Sequence, residues 1–220
     1  MLFDQSTLAT EVEPAAVSSG VLPARRRRHK ATPHLLVHQP DAERGAVEQF
    51  IRGVYAQHYD ARVGALTPYL VTLEADGEIL AAAGYRAATH PLFLERYLAG
   101  PVEAVLSALT PDVPARAAIV EVGHLAAVRT GAGRLLMPLL GAHLAQSGFE
   151  WVVSTATAEL RHLFARMGLE PLVLGVADPA VLGPGVAQWG SYYAHHPLVV
   201  AGSIAAGMAR IAPTMTGAPA

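Results

Sequence analysis

One stretch leaves this chain few folds to choose from. An apolar run from Ala117 to Val128 ends in Gly131-Ala132-Gly133, and a leucine-rich segment of helical period follows. A strand that passes through a glycine turn into a helix is a building unit of mixed α/β folds. The glycines let backbone approach a ligand closely, and first-turn amides at the positive end of the helix dipole form a ready anion site. Two guanidinium groups, Arg129 and Arg134, flank the turn. Two glycines at a strand end are often only a turn, so the surroundings decide.

Those surroundings alternate between the two periods. Val47, Phe50, Ile51, Val54 and Tyr55 have the spacing of an amphipathic helix beginning after Asp41. Tyr69 to Leu73 and Ile79 to Tyr85 read as strands, with Asp76-Gly77 between them as the favoured tight-hairpin turn. Pro101 suits the first turn of a short helix in PVEAVLSAL. After the glycine turn a helix is predicted from about Arg134, which places Pro138 in its first turn, where a missing N–H does no harm. Trp151 to Thr155 reads as a strand and Thr157 to Met167 as a helix stopped by Gly168. LEPLVLGV and QWGSYY are strand-like, and a last helix is predicted from about Pro197. The expected class is α/β of the α+β kind, a mixed central sheet with helices on both faces. Residues 1–33, which carry the basic run Arg25 to Lys30, are expected to be a solvated arm, with a tether to RNA, an acidic carrier protein or anionic lipid as the alternative. Residues 34–212 form the expected domain, and 213–220 a flexible tail.

Composition narrows the chemistry. At 52% hydrophobic and 15% charged residues, the body of the chain is too apolar for disorder. A net charge of −2 argues against a generally basic nucleic-acid binder. With no cysteine, disulfide scaffolds, thiolate nucleophiles and thiolate zinc sites are excluded, and no metal is expected. The opening residues lack a basic segment followed by an apolar one, and the apolar run from Pro197 is interrupted by Arg210. Neither an export signal nor a transmembrane segment is therefore expected, and a cytoplasmic location is.

Residues Val120 to Leu169 resemble the core of the GNAT superfamily of acyltransferases. Its loop pattern, Q/R-x-x-G-x-G/A, is matched at the fourth and sixth positions by Gly131 and Gly133, while Val128 stands at the first. The segment LFARMGL is similar to a second signature, with Phe164 where many members carry a tyrosine. Over about residues 50 to 205, the segments FIRGVYAQHYDARVG, AAAGYRAATHPLFLERYLAGPVE, IVEVGHLAA, TATAELRHLFARMGL and WGSYY resemble the thermostable hemolysin family. That family is similar to acyl-homoserine-lactone synthases, whose pattern has an arginine after the first hairpin, as Arg86 is here. It also has E-x-x-R on the central strand, here Glu121-Val122-Gly123-His124.

The resemblance implies direct acyl transfer from an acyl-CoA or another phosphopantetheine-linked donor to an amine, hydroxyl or amino-acid-like acceptor. It implies Glu121 as general base, His124 as a site residue, and amides near Leu125 polarising the thioester carbonyl. Arg129, Gly131, Gly133 and Arg134 would hold the donor phosphates, and Tyr192 would replace the proton donor missing at Phe164. Arg86, Trp189 and Tyr193 would hold the acceptor. An acyl carrier protein and a homodimer are compatible partners. Strand alternation puts Glu121 and His124 on opposite faces unless a bulge intervenes, and Gly123 suits a bulge. The structural alternatives are an ion pair of Glu121 with Arg86 or Arg116, a satisfied core His124, and ordinary strand aromatics at 189, 192 and 193. Two other functions stand beside the enzyme. One is a membrane-active haemolytic protein, for which the sequence shows neither export signal, long amphipathic span nor barrel strands. The other is a thioester binder without catalysis, which Val128 and Phe164 favour.

Overall fold

The computed structural model describes residues 32–40, 42–111 and 114–216, so residues 1–31 of the expected arm lie outside the described residues. Seven strands form one sheet: β1 (His34–His38), β2 (Tyr69–Ala75), β3 (Glu78–Ala87), β4 (Ile119–Ala127), β5 (Trp151–Ala156), β6 (Leu172–Val176) and β7 (Leu198–Ser203). Their order is β1-β2-β3-β4-β5-β7-β6, antiparallel throughout except for β4 beside β5. The helices are α1 (Gly45–Tyr59), α2 (Val102–Ser107), α3 (Ala132–Gln146), α4 (Ala158–Arg166) and α5 (Ile204–Thr216).

Local chemistry sets most of these elements. Asp76 and Gly77 both have positive φ, 54° and 77°, as the tight β2–β3 turn requires. Val47, Ile51 and Tyr55 are the buried face of α1. The Thr157 hydroxyl accepts from the Leu160 amide and caps α4, and Gly168 follows the helix at φ 73°. Leu136, Leu140 and Leu144 of α3 pack with Val120, Val122 and Ile204 on one side of the sheet. Each such leucine contributes about 1.5–3 kcal/mol. The other side is covered by Val47, Ile51 and Tyr55 of α1 over Leu70, Ala82 and Ala126, and by Val102 and Leu106 of α2 over Ile119 and Val153.

Four sequence expectations are corrected. The helix after the glycine turn starts at Ala132, so Pro138 lies in its interior, where its ring is buried. The run after Pro197 is first a strand, β7, between β5 and β6, and only from Ile204 a helix. QWGSYY is not a strand: it lies in two 3₁₀ segments, Pro179–Trp189 and Tyr192–His195, that pass over one side of the sheet. Gly190 joins them at φ 51°, where a Cβ would fall 2.0 Å from the Tyr59 carbonyl oxygen. Finally, His34–His38 adds an edge strand that the sequence reading did not contain.

Two features of β4 create the site. First, its register with β5 covers only Ile119, Val120 and Glu121, opposite Trp151, Val152 and Val153. Beyond Glu121 the two strands part, and β4 has no strand partner on that edge. Second, Ala82 pairs with Ala126 and Gly84 with Gly123, so His124 and Leu125 stand opposite the single residue Ala83. That is a β-bulge, and His124 takes the left-handed conformation at φ 52°. The extra residue reverses the alternation: Val122 and Leu125 face α3, whereas His124 joins Tyr55 of α1.

Candidate active site

A cavity of about 450 Å³ occupies the gap between β4 and β5 and reaches both sides of the sheet. On the α3 side its walls are mostly aliphatic, with Met137, Leu140 and Leu144 of α3, Val152 of β5, and Ile204 and Met208 of α5, joined by Phe164 and the exposed Arg210–Glu170 ion pair. On the α1 side they are aromatic. Tyr55 and Tyr59 come from α1, and Phe93 and Tyr97 from the loop and 3₁₀ turn (Leu94–Tyr97) after β3. Trp189, Tyr192 and Tyr193 come from the two 3₁₀ segments before β7. Glu121 and His124 lie where the two halves meet.

Glu121 is buried at 6% exposure and tied on both oxygens. Oε2 accepts the Phe93 amide at 2.9 Å and Oε1 the Leu94 amide at 3.0 Å, so the carboxylate caps the 3₁₀ turn that carries Tyr97. The Arg86 Nε lies 3.4 Å from Oε2, without a hydrogen bond, and Nη1 donates to the Pro91 carbonyl at 3.4 Å. Burial raises the Glu121 pKa, against the opposing pull of the two amides and Arg86. The ion pair with Arg86 weighed from the sequence is present, whereas Arg116 pairs with Glu95 and Glu103 instead, each at 2.6 Å.

His124 stands differently. Burial, assisted by the positive charges of Arg86 and Arg52, pushes its imidazole down to about 4, so the ring is neutral at physiological pH. Its Nδ1 is buried with no hydrogen-bond partner. Buried polar atoms in that condition are rare and costly. The Tyr192 hydroxyl donates to the Thr155 carbonyl of β5 at 3.2 Å, and burial holds its pKa well above the usual phenol value. The Tyr97 and Tyr193 hydroxyls meet at 2.5 Å.

The cavity thus gathers Arg86, Glu121, His124, Leu125, Trp189, Tyr192 and Tyr193 from the sequence-derived set. Arg129, Gly131, Gly133 and Arg134 are not in its lining. Arg129 and Gly131 belong to the turn that links β4 to α3, and Gly133 and Arg134 to the first turn of α3: Gly131 precedes the helix at φ 86°, no side chain caps that end, and Arg134 is exposed. Arg129 pairs with Glu78 at 2.7 Å on the surface. Sequence reasoning missed Tyr55, Tyr59, Phe93 and Tyr97. The tyrosines of α1 sit four residues apart on a stripe that reads as core, and Phe93 and Tyr97 lie in a segment without period.

The fold is that of the GNAT-like synthases. A CoA-dependent acyl-homoserine lactone synthase, BjaI, solved with SAM and isopentyl-CoA, superposes with a TM-score of 0.54 at 14% identity, covering 86% of this chain and 92% of its own. FeeM, an N-acyl amino acid synthase from uncultured soil microbes, gives 0.53 at 13% identity, covering 84% and 98%. TofI, solved with an inhibitor and MTA, gives 0.50 at 18% identity, covering 81% and 96%. A comparison with curated protein sequences gives no match. Residues 37–208 match the family described as Thermostable hemolysin, and the chain belongs to it. Among the described residues no helix is long and apolar enough to cross a membrane.

Proposed function

We propose that the protein is an acyltransferase that moves an acyl group from a CoA or carrier-linked thioester directly to an amine. The observation that carries this reading is the cavity at the parted strands, with an aliphatic arm on one side of the sheet and the unpaired His124 on the other. Neighbouring structures of acyl-homoserine lactone and N-acyl amino acid synthases share the fold, which supports acyl transfer as the class. The acyl chain lies in the aliphatic arm. The donor phosphates rest on the first-turn amides of α3 beside Gly131, Gly133 and Arg134, where helix geometry leaves N–H groups without intrahelical acceptors. Backbone amides near Leu125, on the edge of β4 that has lost its strand partner, polarise the thioester carbonyl.

In this proposal the base is His124 rather than Glu121, to which the sequence reading gave that role. The Glu121 carboxylate is occupied by two amides and faces Arg86, which suits an anchor for the Tyr97 turn. The amine nitrogen attacks the thioester carbon, and its proton passes to the neutral imidazole as the C–N bond forms. When the C–S bond breaks, the imidazolium returns that proton to the leaving sulfur, so amine and thioester become amide and thiol. The Tyr192 phenol exchanges its Thr155 acceptor for the sulfur and donates a hydrogen bond to it. It does not give up its proton, because a thiol is the stronger acid, at about 8.5.

The absence of cysteine makes the test clean, since every thiol detected with a thiol-reactive dye comes from the donor. Mixtures of the full chain with acyl-CoAs of graded length, or acylated carrier protein, and a panel of amines should release thiol faster than the amine-free rate. A rate that no amine raises with any donor would refute transfer.

A further inference from the structure

The two arms of the cavity differ in chemistry, and the difference identifies the acceptor. The aliphatic arm offers flexible methylene and methyl groups to a saturated chain. The other arm is a box of rings. Trp189 lies 5.3 Å from Tyr192 and 5.6 Å from Phe93, centroid to centroid, and Tyr192 lies 5.2 Å from Tyr59 and 5.3 Å from Tyr193. These four pairs meet tilted or edge to face, at 48° to 83°, so ring faces are left unstacked for a further planar π system.

Charge narrows the choice. On this side of the sheet the charged groups of the lining are Glu121 and Arg86, which face each other. His124 is neutral and the five tyrosines are protonated. A ligand body with its own carboxylate finds no free counter-charge unless Arg86 leaves Glu121, and a buried unpaired carboxylate is expensive. The box also supplies one polar handle. The Tyr97 and Tyr193 hydroxyls share one hydrogen between them, so the second hydrogen and the remaining lone pairs serve a ligand hydroxyl. An amine in so apolar a chamber is itself pushed toward its neutral, nucleophilic form.

We propose that the acceptor is a primary arylalkylamine without a carboxylate, its ring held among Trp189, Tyr59 and Tyr193 and its nitrogen directed at His124 and the gap between β4 and β5. This assignment rests on the transfer reading above. The C–N bond forms as the C–S bond breaks, and the amine proton reaches the sulfur through His124. A phenolic ring adds a hydrogen bond at the Tyr97–Tyr193 pair.

The test measures binding apart from turnover. Calorimetric titration of the full chain, without donor, should show tyramine binding at least about tenfold more tightly than tyrosine, which differs by one carboxylate, and than butylamine, which lacks the ring (a gap of about 1.4 kcal/mol or more). Trp189→Phe should retain most of the tyramine affinity, and Tyr193→Phe should narrow the preference for tyramine over phenethylamine. With an acyl-CoA present, tyramine should also give the largest rise in thiol release. Tyrosine binding as well as tyramine would place a carboxylate on Arg86 and overturn the proposal. Butylamine matching tyramine, or no amine binding at all, would overturn it too. Thiol release driven by butylamine alone would sink this assignment while keeping the transferase. Tyramine binding with no transfer from any donor would sink the transferase and leave the box as an amine site.

Discussion

Acidification reads the state of His124 most directly. In the folded chain burial, with Arg86 and Arg52, lowers the imidazole from 6.5 to about 4. The unfolded chain keeps the ordinary value and therefore binds the proton first. The folded state loses stability as pH falls below 6.5, and the loss stops growing below about 4, where both states are protonated. By linkage the loss is roughly 2 kcal/mol at about pH 5 and about 3 kcal/mol at its limit. Asparagine tolerates the left-handed backbone at this position, so His124→Asn removes the titration with little strain. Urea unfolding of both proteins at about pH 7.5 and about pH 5 gives the comparison from midpoints and slopes. Wild type should lose about 2 kcal/mol more than the variant between the two conditions. The other nine histidines are common to both proteins and cancel in the difference. Parallel losses would refute a buried neutral imidazole. The acid limb of the thiol-release profile should accordingly fall near 4 rather than near 6.5.

Two further outcomes follow from the geometry. Glu121→Gln turns an amide nitrogen toward the Phe93 or Leu94 N–H and leaves Arg86 without its counter-charge, so thermal melting should show a loss of about 2–3 kcal/mol; an unchanged melting temperature would mean the carboxylate anchors nothing. Gly190→Ala forces a Cβ onto the Tyr59 carbonyl at a positive φ, so the donation from the Ser191 amide to that carbonyl and from the Arg62 amide to the Gln188 carbonyl should fail. The expected cost is at least about 2 kcal/mol, with faster hydrogen exchange at both amides and none at the β2–β3 hairpin, and normal exchange at Ser191 would contradict the packing described.

The sequence disclosed most where a single local rule operates. Asp76-Gly77 set the hairpin, the stripe from Val47 to Tyr55 set α1, and Thr157 with Gly168 bounded α4. The parity conflict between Glu121 and His124 pointed to a bulge, although the residue that takes the left-handed conformation is His124 and not Gly123. The boundary between β7 and α5 was missed although it carries a signal: Gly202-Ser203 interrupts the apolar stretch from Leu198 to Ala206, and the Ser203 hydroxyl accepts from the Ala206 amide at the start of the helix. Pro138 was misplaced because a proline inside a helix is normally disallowed, and here its buried packing outweighs the lost hydrogen bond. The aromatic box drew three of its seven rings from the sequence. The others belong to a helix stripe and an aperiodic turn, whose meeting depends on a contact across tens of residues.

The short pairing of β4 with β5 also bears on how a ligand with two bulky ends arrives. A closed tunnel must be threaded, so the widest part of the traveller sets the rate. Three paired residues and then an open fork make something closer to a slot: a thin, extended stem can be laid in from the side, with a large group left on one surface and another on the opposite surface. Width then matters only at the stem. The two sheet halves, β1–β4 and β5–β7–β6, share only three ladder pairs at this seam, so the width of the slot beyond them is set by the packing of α3 against α5 rather than by strand hydrogen bonds.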